Sequence, residues 1–530
     1  MTSSDSLEES AGALRKLSRA DMAALAPSAA VVEPGRVCCP GNIRHPSEPL
    51  DRENYDHFDE NPVKLVSDHP VSTFSIDVDT GSYSNVRRFL NGGTLPPEDA
   101  VRVEELINYF SYDYPVPDSL DQPFSVSTDV AAAPWNADKL LLQIGIKGYE
   151  LSTAERKSAN LVFLVDVSGS MNSQDKLPLL KNALKMLTRQ LSAEDRVSMV
   201  VYAGASGIVL EPTAGDEHAR ISRALDQLTA GGRTNGASGI RMAYDMAEEG
   251  FIEGGINRVV LATDGDFNVG TVDFDALIDI VERERKVGTS LTTLGFGSGN
   301  YNDHLMEQLA DAGNGNHAYI DTLNEARKVL VDQLGSTLQT IAKDVKIQVE
   351  FNPAVVAEYR LIGYENRVLR REDFNNDKID AGEIGAGHTV TAIYELALVD
   401  SSSRLIDPLR YGQESTRARD TRQGELAFVR LRHKAPGGDK SRLQEFPVRA
   451  DVVTSIDKAG DELRFAASVA AFGQLLRGDE FTGDFAFADV IELATSSRGK
   501  DRHGYRSEFV NLARLAESLS TAQDGRQARR

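Results

Sequence analysis

Asp166, Ser168 and Ser170 stand together in Leu164-Val165-Asp166-Val167-Ser168-Gly169-Ser170-Met171. Thr234 follows in Gly231-Gly232-Arg233-Thr234-Asn235, and Asp264 in Leu261-Ala262-Thr263-Asp264-Gly265. All five side chains end in oxygen. Hydroxyls and carboxylates gathered at one point suit a hard divalent cation, Mg²⁺ with Mn²⁺ or Ca²⁺ as alternatives, because no thiol or imidazole joins the set. Two apolar runs must position them. Leu161-Val162-Phe163-Leu164-Val165 and Arg258-Val259-Val260-Leu261-Ala262 read as buried parallel strands, so Asp166 and Asp264 fall just past their carboxyl ends. Open α/β sheets bind ligands there.

Strand and helix patterns alternate from about Ser158 to Ile341, as a doubly wound fold requires. A helix is expected from Leu177 to Leu191, a strand over Val197–Ala203 with a hairpin partner over Gly207–Pro212, and helical spacing at Ile221, Leu225 and Leu228. Another helix opens after Thr234. Later come a helix near Phe274–Arg285, a strand over Thr289–Phe296, a helix near Asn302–Ala312, a short strand at Ala318–Ile320 and a long helix from Asn324 to Ile341. The whole reads as an α/β, Rossmann-like unit flanked by a β-rich, sandwich-like module and a helical carboxy-terminal segment. The expected divisions are a disordered leader (1–65), an amino-terminal module (66–157), the metal-bearing unit (158–342), a β-rich module (343–455), a helical segment (456–520) and a disordered tail (521–530). Val345–Phe351, Val390–Leu398 and Leu426–Leu431 are the candidate strands of the β-rich module. Helices are expected around Leu463–Leu475, Phe487–Thr495 and Phe509–Leu519.

The Asp-x-Ser-x-Ser run, the later Thr and the Thr-Asp-Gly together resemble the metal-ion-dependent adhesion site of von Willebrand factor type A (VWA) domains. The resemblance implies that Ser168, Ser170 and Thr234 reach the ion through hydroxyls, and that Asp166 and Asp264 hold it mainly through bound water. It implies one position left open for a carboxylate from a protein partner. Mg²⁺ keeps several waters, so outer carboxylates can neutralise it without filling its shell. One departure is Arg233, since many relatives place the Thr straight after the glycine pair. More widely, Glu53-Asn54-Tyr55 through Tyr114, Ala133-Pro134-Trp135-Asn136, Tyr359–Arg367 and Asp380–His388 resemble a bacterial VWA-protein family, often exported and lipid-anchored. That resemblance spans about residues 53–519 and implies that strands before and after the VWA unit pair into a sandwich beside it.

Lys plus Arg is 58 against 80 Asp plus Glu, a formal net charge of −22, which would repel nucleic acid. Cys38 and Cys39 are the only cysteines and are adjacent, a spacing that strains a disulfide and fits no zinc site. Residues 1–65 carry no charged start followed by an apolar core, and no apolar run reaches 18 residues, so a cytoplasmic protein without an integral membrane segment is expected. Export to the envelope, as in the related family, is the alternative.

Three motifs invite other chemistry. Asp79-Thr80-Gly81-Ser82 matches one half of an aspartic peptidase, but no second copy follows, so a polar turn is expected. Asp373-Phe374-Asn375-Asn376-Asp377 opens like a calcium loop, yet Lys378 takes the glycine position and Ile384 the twelfth. Gly295-Phe296-Gly297-Ser298-Gly299 places its third glycine too early for a dinucleotide fingerprint. No His partner stands beside Ser168 or Ser170 in the sequence, so no enzyme is expected. Metal-dependent binding of a protein partner that supplies an acidic side chain to the ion is the leading function. An adaptor for an ATPase or chaperone-type complex is the second.

Overall fold

Residues 53, 55, 57–152, 155–232, 236–265, 274–298, 301–407, 424–449, 455–478 and 480–527 are described by a computed structural model of the protein. The amino-terminal portion supplies β1 (Lys64–Leu65), β2 (Val71–Ser75), α1 (Gly81–Asn91), α2 (Val103–Asn108) and a long hairpin, β3 (Phe124–Ala133) and β4 (Asn136–Gly148). Alternation along β4 sets its two faces: Leu140, Leu142, Ile144 and Ile146 enter one core and Leu141 the other.

The chain then builds a six-stranded sheet. Its elements are β5 (Ala159–Asp166), α3 (Leu177–Thr188), β6 (Arg196–Tyr202), β7 (Ser206–Ala214), α4 (His218–Gln227), α5 (Gly236–Glu249), β8 (Ile256–Thr263), α6 (Phe274–Lys286), β9 (Thr289–Phe296), α7 (Asp303–Ala312) and β10 (His317–Ile320). The order is β10-β9-β8-β5-β6-β7. Every neighbouring pair is parallel except β6 with β7. Leu161, Phe163 and Val165 pack on the α3 side, whereas Val162 and Leu164 pack under α5. Both faces are covered, which is why β5 is apolar without a break. The chain passes from β5 to β6 on one side and returns to β8 on the other, so the carboxyl ends of β5 and β8 adjoin at the switch point.

The expected helix Asn324–Ile341 is broken. It appears as α8 (Leu323–Arg327), a π turn over Lys328–Asp332, and α9 (Leu334–Leu338), after which the chain is strand. Ile341 and Ala342 belong to the sandwich core, and that tertiary demand overrides the helical spacing. In the π turn, the buried Lys328 Nζ sits 3.3 Å from the Tyr109 ring centroid and 3.9 Å from a Glu325 oxygen.

The remaining elements are β11 (Thr340–Phe351), β12 (Val356–Ile362), β13 (Ile384–Gly385), β14 (Thr389–Leu398), β15 (Glu425–Lys434), β16 (Ser441–Arg449), α10 (Asp461–Arg477), α11 (Phe487–Ser496) and α12 (Tyr505–Gln527). One sheet runs β1-β12-β14-β4-β3; the other runs β13-β11-β15-β16, with β2 also on β11. Each sheet therefore joins strands from before and after the six-stranded unit, which is inserted into a sandwich. The Phe351 and Tyr359 rings stack across the sandwich core at 4.2 Å between centroids. On the outer face of the first sheet, Leu141, Ile362 and Ile393 meet Phe465, Phe472 and Phe509, so α10 to α12 form a packed layer with α1 and α2. Lys64 and Leu65, placed by the sequence in the leader, pair with β12. The rest of that segment through residue 52, with Cys38 and Cys39, lies outside the described residues. No helix among the described residues is long and apolar enough to cross a membrane.

Candidate metal centre at the sheet edge

The pairing of Val165 with Ala262 sets Asp166 opposite Thr263. Both oxygens of the fully buried Asp166 are engaged: Oδ1 accepts from the Ser168 amide at 2.8 Å, and Oδ2 from the Thr263 hydroxyl at 3.0 Å. These bonds turn the carboxylate across the strand ends and fix the loop that follows. Ser168 Oγ and Ser170 Oγ then lie 2.9 Å apart, the first buried and the second exposed. Gly231 and Gly232 brace the same loop, through Gly231 N to Val167 O at 2.7 Å and Gly169 N to Gly232 O at 3.1 Å. Gly232 has φ +90°, a conformation that favours glycine. Thr234 lies outside the described residues.

Asp264, also fully buried, accepts from Lys176 Nζ at 2.9 Å through Oδ2. Lys176 reaches it by crossing Gly297, where a Cβ would lie only 2.2 Å from Lys176 Cε. Gly297 is left-handed, at φ +75°, and its carbonyl accepts from Tyr319. The glycine-rich rim after β9 thus serves as the path of a lysine stem. Burial pushes the Asp166 carboxyl up to about 6; the Ser168 amide and hydroxyl pull it down, and the nearby Asp264 charge raises it.

The donor chemistry fits a hard cation. Two acids and two hydroxyls lie at one edge, the acids buried at adjoining strand ends, with an ammonium already on one of them. Of the five residues singled out in the sequence, four are described. Asp166, Ser168 and Ser170 form one hydrogen-bonded turn, and Asp264 follows the neighbouring strand.

A second acidic cluster had no spacing to reveal it. Oxygens of Asp77, Asp79 and Glu307 lie within 4.8 Å of one another. Arg367, 290 residues from Asp77, already holds them. Its Nε is 3.2 Å from Asp77, its Nη2 3.3 Å from both Asp79 and Glu307, and its Nη1 2.7 Å from Asp311. Burial raises the Asp79 carboxyl well above its usual range, with Asp77 and Asp311 adding to it and Arg367 opposing. Asp79 Oδ1 also accepts the amide of His317 at 2.8 Å, so the expected polar turn is a buried tie between the amino-terminal portion and β10. In the calcium-like loop, the carbonyls of Asp373 and Asn376 accept from Lys346 Nζ at 3.1 and 2.6 Å.

A mostly parallel sheet with an antiparallel edge strand, oxygen donors at its switch point and helices on both faces define a VWA protein. The family model described as von Willebrand factor type A domain matches residues 160–333. Two others match either side of it: von Willebrand factor over 49–143, and Uncharacterized protein YfbK, C-terminal, over 336–519. The chain belongs to the YfbK family. It is 47% identical over 472 residues to Uncharacterized protein YfbK of Escherichia coli (strain K12), covering 88% of this chain and 81% of that protein. Over 27% of each chain it is 30% identical to the Magnesium-chelatase 60 kDa subunit of Rhodobacter capsulatus. A solved von Willebrand factor type A structure from Catenulispora acidiphila is similar at 16% identity and a TM-score of 0.41, covering 74% of this chain and 89% of that one.

Proposed function

We propose that the protein binds a protein partner through a divalent cation, Mg²⁺ or Mn²⁺, held at the edge of the six-stranded sheet. The observation that carries this reading is the turn in which Asp166 is pinned through both oxygens while Ser168 and Ser170 bring their hydroxyls within 2.9 Å of each other. Ser168 and Ser170 would ligate directly, and Thr234, two residues past Gly232 in the sequence, would join them. Asp166 and Asp264 would neutralise the ion from behind. When bound, the cation supplies an electrophilic position for an outside carboxylate. Among the described donors Ser170 is the exposed one, so the partner's Asp or Glu approaches over it. In this reading the Ser168 and Ser170 hydroxyls, which bond each other, serve as ligands for the ion and not as nucleophiles.

The test is twofold. Calorimetric titration should give one Mg²⁺ or Mn²⁺ site, weakened at least tenfold in Ser168→Ala and lost in Asp264→Asn. Affinity capture should give a partner retained in Mg²⁺ and released by chelator and by Ser168→Ala. Capture unaffected by either would place the contact on the flanking modules. The likeness to a magnesium-chelatase subunit supports a second reading, in which the VWA segment is an adaptor within a larger assembly. An ATPase as the captured partner would select it.

A further inference from the structure

A cavity lies at the opposite end of the six-stranded sheet from the Asp166 turn, where β8 and β9 begin and the sandwich meets them. Its volume is about 240 Å³, and Lys157, Arg258, Arg285, Lys343 and Glu383 are among its lining residues. Four cations around one opening are unexpected in a chain of net charge −22. Arg258 is the telling one. It is 3% exposed, its Nη1 donates to Thr292 Oγ1 at 2.6 Å, and its buried Nε has no hydrogen-bond partner. No carboxylate lies within ion-pair distance of it among the described residues. Glu383 is the opposing charge it senses, and that side chain is bonded to Thr340 Oγ1 at 3.1 Å. Burial without a partnered anion pulls the guanidinium down to about 10. Arg285 is engaged with Asp380 at 2.6 Å and Asn314 at 2.7 Å. Lys157 and Lys343 carry no side-chain ion pair among the described residues.

A buried guanidinium without an anion is costly, and an oxyanion that accepts from its free N–H groups removes that cost. We propose that this cavity is an anion site for a phosphoryl group, held by Arg258 from below and by Lys157 and Lys343 from the two sides. Three cations, none of them ion-paired among the described residues, match a dianion better than a single carboxylate. The phosphoryl group belongs either to free phosphate or to a small phosphate monoester. Lys157 and Arg258 come from the VWA side and Lys343 from β11, so the occupant bridges the inserted unit and its sandwich.

The experiment titrates metal-free full-length protein, at constant ionic strength, with inorganic phosphate, glycerol phosphate and succinate by calorimetry. Saturable 1:1 binding of phosphate or of the monoester is expected, with the tighter of the two naming the source. The double variant Lys157→Ala/Lys343→Ala, at exposed enough positions to leave the fold intact, should weaken it at least tenfold. Glu383→Gln should tighten it severalfold. Arg258→Met should abolish it, with circular dichroism to establish that this variant folds; the lysine pair carries the test if it does not. Absence of saturable binding, binding untouched by the lysine variant, or succinate binding as tight as phosphate would overturn the proposal.

Discussion

Replacing Lys176 by Met tests the metal centre through a cation that is already there. Its ammonium lies 2.9 Å from Asp264 Oδ2, with the lysine side chain 8% exposed and the aspartate fully buried. Methionine keeps the stem that crosses Gly297 and deletes the charge. In chelator, removing one member of such a buried pair should cost about 3–5 kcal/mol of folding stability. With Mg²⁺ bound, Asp264 has another cation to neutralise, and the loss should shrink to about 1 kcal/mol, the net scale of an ordinary hydrogen bond. The thermodynamic cycle then closes on the affinity. A difference of at least about 2 kcal/mol must reappear as Mg²⁺ binding about 30-fold tighter in the variant. Urea denaturation in chelator and in saturating Mg²⁺, with calorimetric titration of both proteins, measures all four legs. Unchanged Mg²⁺ affinity together with equal stability losses in the two media would refute the argument, since Lys176 and the ion would then not share Asp264.

Gly297→Ala should act on the same cycle from outside: its Cβ would meet Lys176 Cε at 2.2 Å and its φ of +75° would add about 1–2 kcal/mol of backbone strain, so the variant should be less stable and bind Mg²⁺ more tightly. Asp166, raised from an ordinary 3.8 to about 6, binds its proton more tightly in the fold than in the unfolded chain. Metal-free protein should therefore lose up to about 3 kcal/mol relative to Asp166→Asn as pH rises from about 4 to about 6, and keep that deficit above pH 6. Denaturation of both proteins across that range checks it, and saturating Mg²⁺ should close the gap. Arg367→Met leaves Asp77, Asp79 and Glu307 without their shared guanidinium and should cost about 3–5 kcal/mol by urea denaturation; a loss under 1 kcal/mol would show that the cluster is not held by charge. Ser168→Ala should leave the fold intact and weaken Mg²⁺ at least tenfold by calorimetry.

What the sequence disclosed depends on how local the cause was. The apolar runs before Asp166 and Asp264 are strands because both sheet faces are covered, and their composition alone says so. The turn at Ser168 and Ser170 is equally local, fixed by an amide two residues from the acid it bonds. Where causes are distant, sequence reading stops. Asn324–Ile341 carries helical spacing, yet Ile341 and Ala342 are drawn into a sandwich core whose other walls come from residues such as Phe124 and Leu426. Asp79 reads as part of a turn because its partners, His317 and Arg367, are 238 and 288 residues away. Lys176 shows the intermediate case. It is ten residues past Asp166, inside the stretch that the metal argument covers, but only the bare Gly297 after a different strand lets its stem through to Asp264. The donors of the proposed metal centre are thus written in short motifs, whereas its native counter-cation is set by the packing of three strand ends.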